Sequence, residues 1–477
     1  MKKLLMLTAA ALLVSQAFAQ VIPPFGSFEK PFAADSLWNS RPLNPVLGTY
    51  EIPPVLNPMV SQGPYSTKAF KATASDGPMT IYPIEGQSGI DDPEARFPTA
   101  TVTLPRWPAL VTPAASGDGH ADIFDEVSGK IHSFWQLKFV NGKWTAKQHA
   151  WSLMGGKGWP DPSHSYQGAR AVGVPSVAGV IRLHEFDDGE DHFKHALAMS
   201  VEKQGLSGKS GSPTYIFPAT AADLGSKDSH TGTPGVPEGA LMMLPPDYQI
   251  QIDNPRLQKV VNTLKLFGAR VVDENGDTPF FIYVENDVDQ NNPTYRLSTG
   301  NYNEVIEELH RIRAKLRQVV DASDWIDGNG QPTDADKVGN PNVLSMRGDW
   351  KKMPGGNYAP AVPYDANSPS IILPARSLPT FQQSTTNGVA STGLGAITWA
   401  YPKAGEKFLF TSIAEGNAKI SFEMYVDSTL KASIPFLTNG QTGTLTWEKG
   451  AWMIIKIWNP ANQTGSIRAT MVRAPAQ

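Results

Sequence analysis

The chain has no cysteine. That absence excludes disulfides, thiolate metal sites and lipid attachment at a lipobox, so stability has to come from packed cores. Beyond its N-terminus it lacks any run approaching the ~18 apolar residues that a membrane-crossing helix needs. Charge of one sign is also scarce. With 41 Lys and Arg against 45 Asp and Glu the net charge is −4, which argues against nucleic acid as a partner. Missing as well are an HExxH, a P-loop, a dinucleotide fingerprint and a GxSxG elbow. Zinc-protease, nucleotide and α/β-hydrolase readings are weakened accordingly.

What is present begins with Lys2 and Lys3, an apolar stretch from Leu4 to Val14, and Ala17-Phe18-Ala19. Charged, apolar and small-x-small segments in that order predict a secretory signal peptide over residues 1–19, hence an exported, soluble periplasmic or extracellular protein. The rest has room for two to four domains of about 100–200 residues. Gly 42 and Pro 40 together exceed the usual share of ~12% and are spread along the chain, as turns between short strands would be. The expected fold class is mainly β with a few helices. A large β-rich domain is expected over 20–320, a loop-rich linker or wrap over 321–395, and a β-sandwich or jelly-roll accessory domain over 396–477.

Alternation predicts strands at Ala121–Phe124, Ile131–Val140, Val177–Ile181 and Ala196–Val201. Asn141-Gly142 is a hairpin turn signal. On the Ile131–Val140 strand, Ser133, Trp135, Leu137 and Phe139 are expected to face the core, and His132 a partly solvated surface. Leu257, Val260, Val261, Leu264 and Phe267 repeat at helical spacing, with Gly268 as the stop. Arg270–Asp273 and Phe280–Val284 flank another Asn-Gly turn. A second helix is expected from about Tyr302 to Val320, capped by Asn301 or Asn303. Six short alternating strands follow between Phe408 and Val472.

Seven of the nine histidines fall between Asp118 and Ser200, beside Trp135, Trp144, Trp151 and Trp159. Imidazoles relay protons and bind metals, so this stretch is the first place to seek a site. Asp118-Gly119-His120-Ala121-Asp122 puts a histidine and an acid on one face at a strand start, as a general base with its orienting carboxylate or as two metal ligands. A turn with local hydrogen bonds is the bland reading. His195 is read as a core histidine or, at a strand end opening into a cleft, a catalytic one. Arg182 suits a substrate carboxylate and Glu185 an acid or base, against a surface ion-pair cluster. The acids Asp187–Asp191 and the segment Asp324–Gly330 are read as a solvated loop and a turn rather than calcium loops.

Several strings resemble a widespread family of exported bacterial proteins, many from actinobacteria, that mostly carry no settled function. They are Pro31-Phe32-Ala33-Ala34-Asp35-Ser36-Leu37-Trp38-Asn39, Gly117-Asp118-Gly119-His120, Ser133-Phe134-Trp135, Gly179-Val180-Ile181-Arg182 with Glu185, His195-Ala196-Leu197-Ala198, Pro237-Glu238-Gly239 and Gly268-Ala269-Arg270-Val271-Val272-Asp273. The resemblance spans roughly 32–285. It implies one continuous N-terminal domain and no particular reaction.

Together these features predict a secreted polysaccharide-degrading enzyme. Its catalytic candidates are His120, Asp122, His195, Arg182 and Glu185. Asp35, Asn39, His132, Trp135, Arg170 and Glu238 are substrate-binding candidates. Histidine density favours a lyase acting by β-elimination on a uronic-acid glycan, with a base and a group that neutralises the carboxylate. The alternatives are a glycoside hydrolase using two of Asp35, Asp122, Glu185 and Glu238, and a non-catalytic glycan-binding or envelope-associated protein. No cofactor is required, and a divalent metal is compatible with the residues.

Overall fold

Strand Leu197–Glu202 is buried along its whole length, and its residues alternate between two cores. Met199 and Val201 join one core, Ala198 the other. That pattern marks a strand covered on both faces. It lies inside a seven-stranded mixed sheet whose order is Val46–Leu47, Arg317–Asp321, Leu241–Met243, Ala269–Asn275, Leu197–Glu202, Phe280–Tyr283, Met59–Ser61. The protein is described from a computed structural model, which covers residues 23–474 except 94–98, 116, 161–163, 165, 209–213, 224–229, 277, 288–301, 337–343, 347–349, 353–357, 361–369, 388–389, 392–393 and 396–403. The expected signal peptide lies outside the described residues.

One face of the seven-stranded sheet is covered by two helices. Helix Pro255–Leu266 starts at Asn254, whose side chain accepts from the Arg256 and Leu257 N–H groups, and has proline in its first turn. It buries Leu257, Val260, Val261 and Leu264, each worth roughly 1.5–3 kcal/mol of transfer free energy. It ends at Gly268, whose φ of +74° is left-handed. Helix Tyr302–Arg313 adds Val305, Leu309 and Ile312 to the same core. It stops well short of Val320, because Arg317–Asp321 runs as a strand between Leu241–Met243 and Val46–Leu47. Asn301 lies outside the described residues.

The other face packs on a second layer, a four-stranded sheet ordered Gln148–Leu153, Lys130–Trp135, Ala121–Asp125, Ala69–Ala72. Phe124 and Ile131 from this sheet share a core with Val272, Phe281 and Tyr283 from the first. A smaller sheet, Val102–Leu104, Met79–Pro83, Lys143–Ala146, Lys138–Val140, covers its far side, where Ala121, Ile123 and Phe134 meet Ile81 and Leu104. Both faces of the middle layer are therefore dry.

This layering corrects three local readings. The long strand Ile131–Val140 is two strands in two sheets, broken at Gln136 (φ 54°), where Gln136 and Leu137 N–H donate to the Asp118 and Gly119 carbonyls. Phe139 then leaves the core and is 61% exposed. Val177–Ile181 forms consecutive turns, with a single bridge from Ile181 to Val284. Ala269–Asn275 and Phe280–Tyr283 do not pair as a hairpin, because Leu197–Glu202 lies between them, parallel to the first and antiparallel to the second. The Asn141-Gly142 turn does join a pair, with Val140 opposite Lys143.

The stretch 321–395, expected as a loop-rich linker or wrap, carries strands towards both of its ends. Its start is clasped to the beginning of the described chain, since Asp324–Ile326 pairs with Arg41–Leu43. Farther on, Ile371–Leu373 and Thr380–Asn387 are strands of the C-terminal unit. That unit is a β-sandwich with sheets of four and five strands. All six strands expected from alternation are there, around Phe408, Phe410, Phe422, Ile455, Ile457 and Met471. Among the described residues no helix is long and apolar enough to cross a membrane.

A buried carboxyl cluster around Arg170

Arg170 is 1% exposed, and it meets groups of the seven-stranded sheet and of the loop between Met59–Ser61 and Ala69–Ala72. Its Nη1 donates to Asp273 Oδ2 at 3.0 Å and to the Tyr65 carbonyl at 2.8 Å. The guanidinium lies 4.1 Å from the Tyr283 ring centroid. Its Nε and Nη2 are buried without a partner. Asp273 comes from strand Ala269–Asn275 of the seven-stranded sheet. On the other side Asp118 precedes strand Ala121–Asp125, and its charge reaches both Arg170 and Asp273. Trp135 Nε1 donates to Asp118 Oδ1 at 3.1 Å.

Two more acids close the group. Asp223 bonds the side chains of Glu238 and Asp273, and the Asp223 N–H donates to Glu238 Oε2 at 3.2 Å. A buried carboxyl that bonds two others has to share protons with them, since the three would repel one another if all were ionised. Burial first, then the Asp223 charge, pushes Asp273 and Glu238 well above the ordinary carboxylate range. Asp223 is raised as well, mainly by burial. The fully buried His230 brackets them, with Nε2 at 3.2 Å from Glu274 Oε2 and 3.8 Å from Glu238 Oε1. The cluster opens outward: the Asp273 side chain is 18% exposed, Asp118, Asp223 and Tyr166 are half-buried, and Tyr65 is exposed.

His120 and Asp122 sit behind Arg170. The His120 Nδ1 lies 3.3 Å from the Phe134 carbonyl, which can only accept, so this nitrogen carries the proton. The Ser176 hydroxyl, 3.1 Å from the same nitrogen, therefore has no base there to activate it. Burial, then Arg170, lowers the His120 pKa well below the usual imidazole value. Asp122 accepts from Thr67 Oγ1 (2.8 Å), Ser133 Oγ and the Ser176 N–H (3.2 Å). Burial pushes Asp122 up to about 6 against those bonds. Asp122 thus meets His120 through Ser176, and both brace the wall behind Arg170.

The other candidates lie elsewhere. Arg182 Nε donates to Glu285 at 2.8 Å and its Nη1 to the Phe28 carbonyl at 3.0 Å. Glu285 also takes the Leu183 and Ala69 N–H groups. His195 precedes the strand that starts at Leu197 and places Nε2 3.2 Å from Glu185. Burial alone would raise Glu185, but the His195 charge and bond and the Arg182 N–H hold it at about 2. Arg182, Glu185 and His195 are thus an internally satisfied ion network, separate from the Arg170 cluster.

His132 does not line a cleft. It is 2% exposed and stacked on His149, with Nδ1 to Nε2 3.1 Å, and burial lowers it to about 4. Its face was expected to be solvated, but the small sheet covers it. Asp35 pairs with Lys157 at a half-exposed surface. Asn39 donates to the Phe32 and Ala33 carbonyls and braces its own loop. Asp187 and Asp188 pair with Arg256 and Lys259 on helix Pro255–Leu266, as a solvated loop does. Asp327 accepts from the Asn329 and Gln331 N–H groups, which makes a turn.

Of the residues named from sequence, Arg170, Glu238 and Trp135 meet in the cluster, with His120 and Asp122 behind it. Asp118 and Asp273 lie in Gly117-Asp118-Gly119-His120 and in Gly268-Ala269-Arg270-Val271-Val272-Asp273, strings whose resemblance implies no role for them. Asp223 gave no signal, because its partners are far away in sequence. Among the described residues no group of three His, Cys, Asp or Glu is arranged to hold a metal ion. A surface concavity of about 770 Å³ between Glu190–Asp191 and Gln249–Asn262 contains none of the cluster.

No family model matches the chain, and no curated protein matches it. Among solved structures, a chain of the Glycosylation Associate Protein (Gap123) complex from Streptococcus agalactiae is similar at 13% identity, over 28% of this chain and 45% of that one. The TM-score is 0.18, too low to carry an argument about fold or activity.

Proposed function

We propose that the Arg170 cluster is the active site of an exported glycoside hydrolase that works by paired carboxyls. The observation that supports this is the contact of Asp223 with both Glu238 and Asp273, the last of which is paired with Arg170. A carboxyl kept protonated near neutral pH is what protonation of a glycosidic oxygen requires. Asp273, partly exposed and at the head of the proton-sharing group, is the general acid. Asp118, across Arg170, is the base or nucleophile. Arg170 keeps the pair in place and sets how many protons the group retains. Tyr65, Tyr166 and Trp135 at the mouth supply aromatic surface for sugar rings.

The arrangement favours hydrolysis over β-elimination. A lyase has to neutralise a substrate carboxylate, yet Arg170 is already engaged by Asp273 and faced by Asp118. His120, the leading base candidate, is buried and protonated on the nitrogen that faces the chain. The test is an assay of the whole protein on neutral and uronic glycans, following reducing ends and unsaturated product separately. Reducing ends without ultraviolet-absorbing product are expected, with a loss of about a hundredfold or more in Asp273→Asn and in Asp118→Asn. Unsaturated product would restore the lyase reading. Binding to a glycan with no turnover would favour the non-catalytic one.

A further inference from the structure

Arg270 is buried like Arg170, Arg182 and Arg313, but unlike them it has no ion-pair partner among the described residues. It is 5% exposed on strand Ala269–Asn275, opposite Leu241. Its Nη1 donates to the Gly239 carbonyl at 3.2 Å, and its Nε has no partner. Among the described residues no carboxylate lies within ion-pairing range of it. Trp325 offers its ring at 5.7 Å. The charge of Asp336 reaches it, and among the described residues no ion pair joins the two. Burial lowers the pKa of Arg270 to about 9. A guanidinium costs several kcal/mol to bury unless a counter-charge and hydrogen bonds replace its water.

This arginine lines a cavity of about 350 Å³, the size of a small-molecule site. The walls are mostly apolar: Leu37, Ile216, Phe217, Leu241 and Trp325. Asp321 and Asp336 also line it. The fork of a guanidinium matches a carboxylate or a phosphate. The apolar walls and the two acids disfavour a multiply charged phosphate.

We propose that this cavity binds a monocarboxylic acid with an apolar or aromatic body, its carboxylate held by Arg270 and its body packed against Trp325, Phe217 and Leu241. The site is independent of the carboxyl cluster, since it shares none of its side chains.

Calorimetric titration of the full chain with benzoate and with hexanoate tests this, with benzamide as the uncharged counterpart. Saturable binding of the acids in the millimolar range or tighter is expected, with benzamide weaker by roughly tenfold or more. Arg270→Met removes binding of the acids, and Arg270→Lys weakens it by about tenfold. Arg270→Met is also expected to melt no lower than the parent, because an apolar side chain replaces an uncompensated charge. Ala322→Trp, which fills the cavity and leaves Arg270 in place, blocks binding and decides the matter if the arginine variants do not fold. The proposal is overturned if neither acid binds, if benzamide binds as well as benzoate, or if binding survives both Arg270→Met and Ala322→Trp.

Discussion

Arg182 and Glu285 are 5% and 6% exposed, and each offsets the other's loss of water. Truncating one leaves the other buried and unpaired, which costs about 3–5 kcal/mol. Arg182→Met should therefore lower the urea midpoint sharply, in contrast to Arg270→Met. Glu185 and His195 make a titratable version of the same device. Glu185 drops from an ordinary 4.5 to about 2, so its contribution is complete above 4.5 and fades as pH falls towards 2. His195 is raised above 6.5, its pairing with Glu185 outweighing burial, so its contribution is complete below 6.5 and fades as pH rises through the higher folded value. The pair stabilises most between those limits. Denaturation of Glu185→Gln across pH should show its largest deficit there and a smaller one at either extreme. Sequence named these residues but not their work, because a Glu/His/Arg set that spends its bonds on itself has the same composition as one that spends them on a substrate. Arg170 was legible only as an arginine near the cluster. What distinguishes it is its meeting with Asp273, 103 residues away.

Elements were legible where one face is wet. In the C-terminal sandwich, Ala451–Asn459 alternates buried and half-buried without a break, and all its expected strands were found. Alternation misled in the middle layer, where His132, Ser133 and Phe134 are all buried because sheets cover both sides. The break at Gln136 had no marker, since a non-glycine residue adopts positive φ there to meet the Asp118–Gly119 turn. Gly268 is the reverse case, a stop read correctly from its type. A Cβ at this position would lie 2.6 Å from the Met242 carbonyl oxygen at a φ of +74°. Both space and backbone forbid it, so Gly268→Ala should cost more than about 1 kcal/mol, measurable as a lower melting temperature. Asn254→Ala, which loses the N-cap, should cost ~1 kcal/mol.

Over the whole molecule, the cores divide between two stretches of chain. Every residue of the sandwich core falls between Leu344 and Met471, and the others lie between Phe32 and Trp325. Calorimetry should resolve two unfolding transitions. Ile455→Ala, expected to cost about 2–5 kcal/mol, should lower one and leave the other in place. A single transition that moves as a unit would show the cores to be coupled. The clasp between Arg41–Leu43 and Asp324–Ile326 adds a constraint in time. Synthesis runs at about 5–20 residues per second, so Leu43 waits roughly a quarter of a minute to a minute for its partner strand to leave the ribosome. Until then the first ~300 residues have an unclosed sheet edge and no final lock. Any machinery that must handle this chain while it is still open has that interval in which to act.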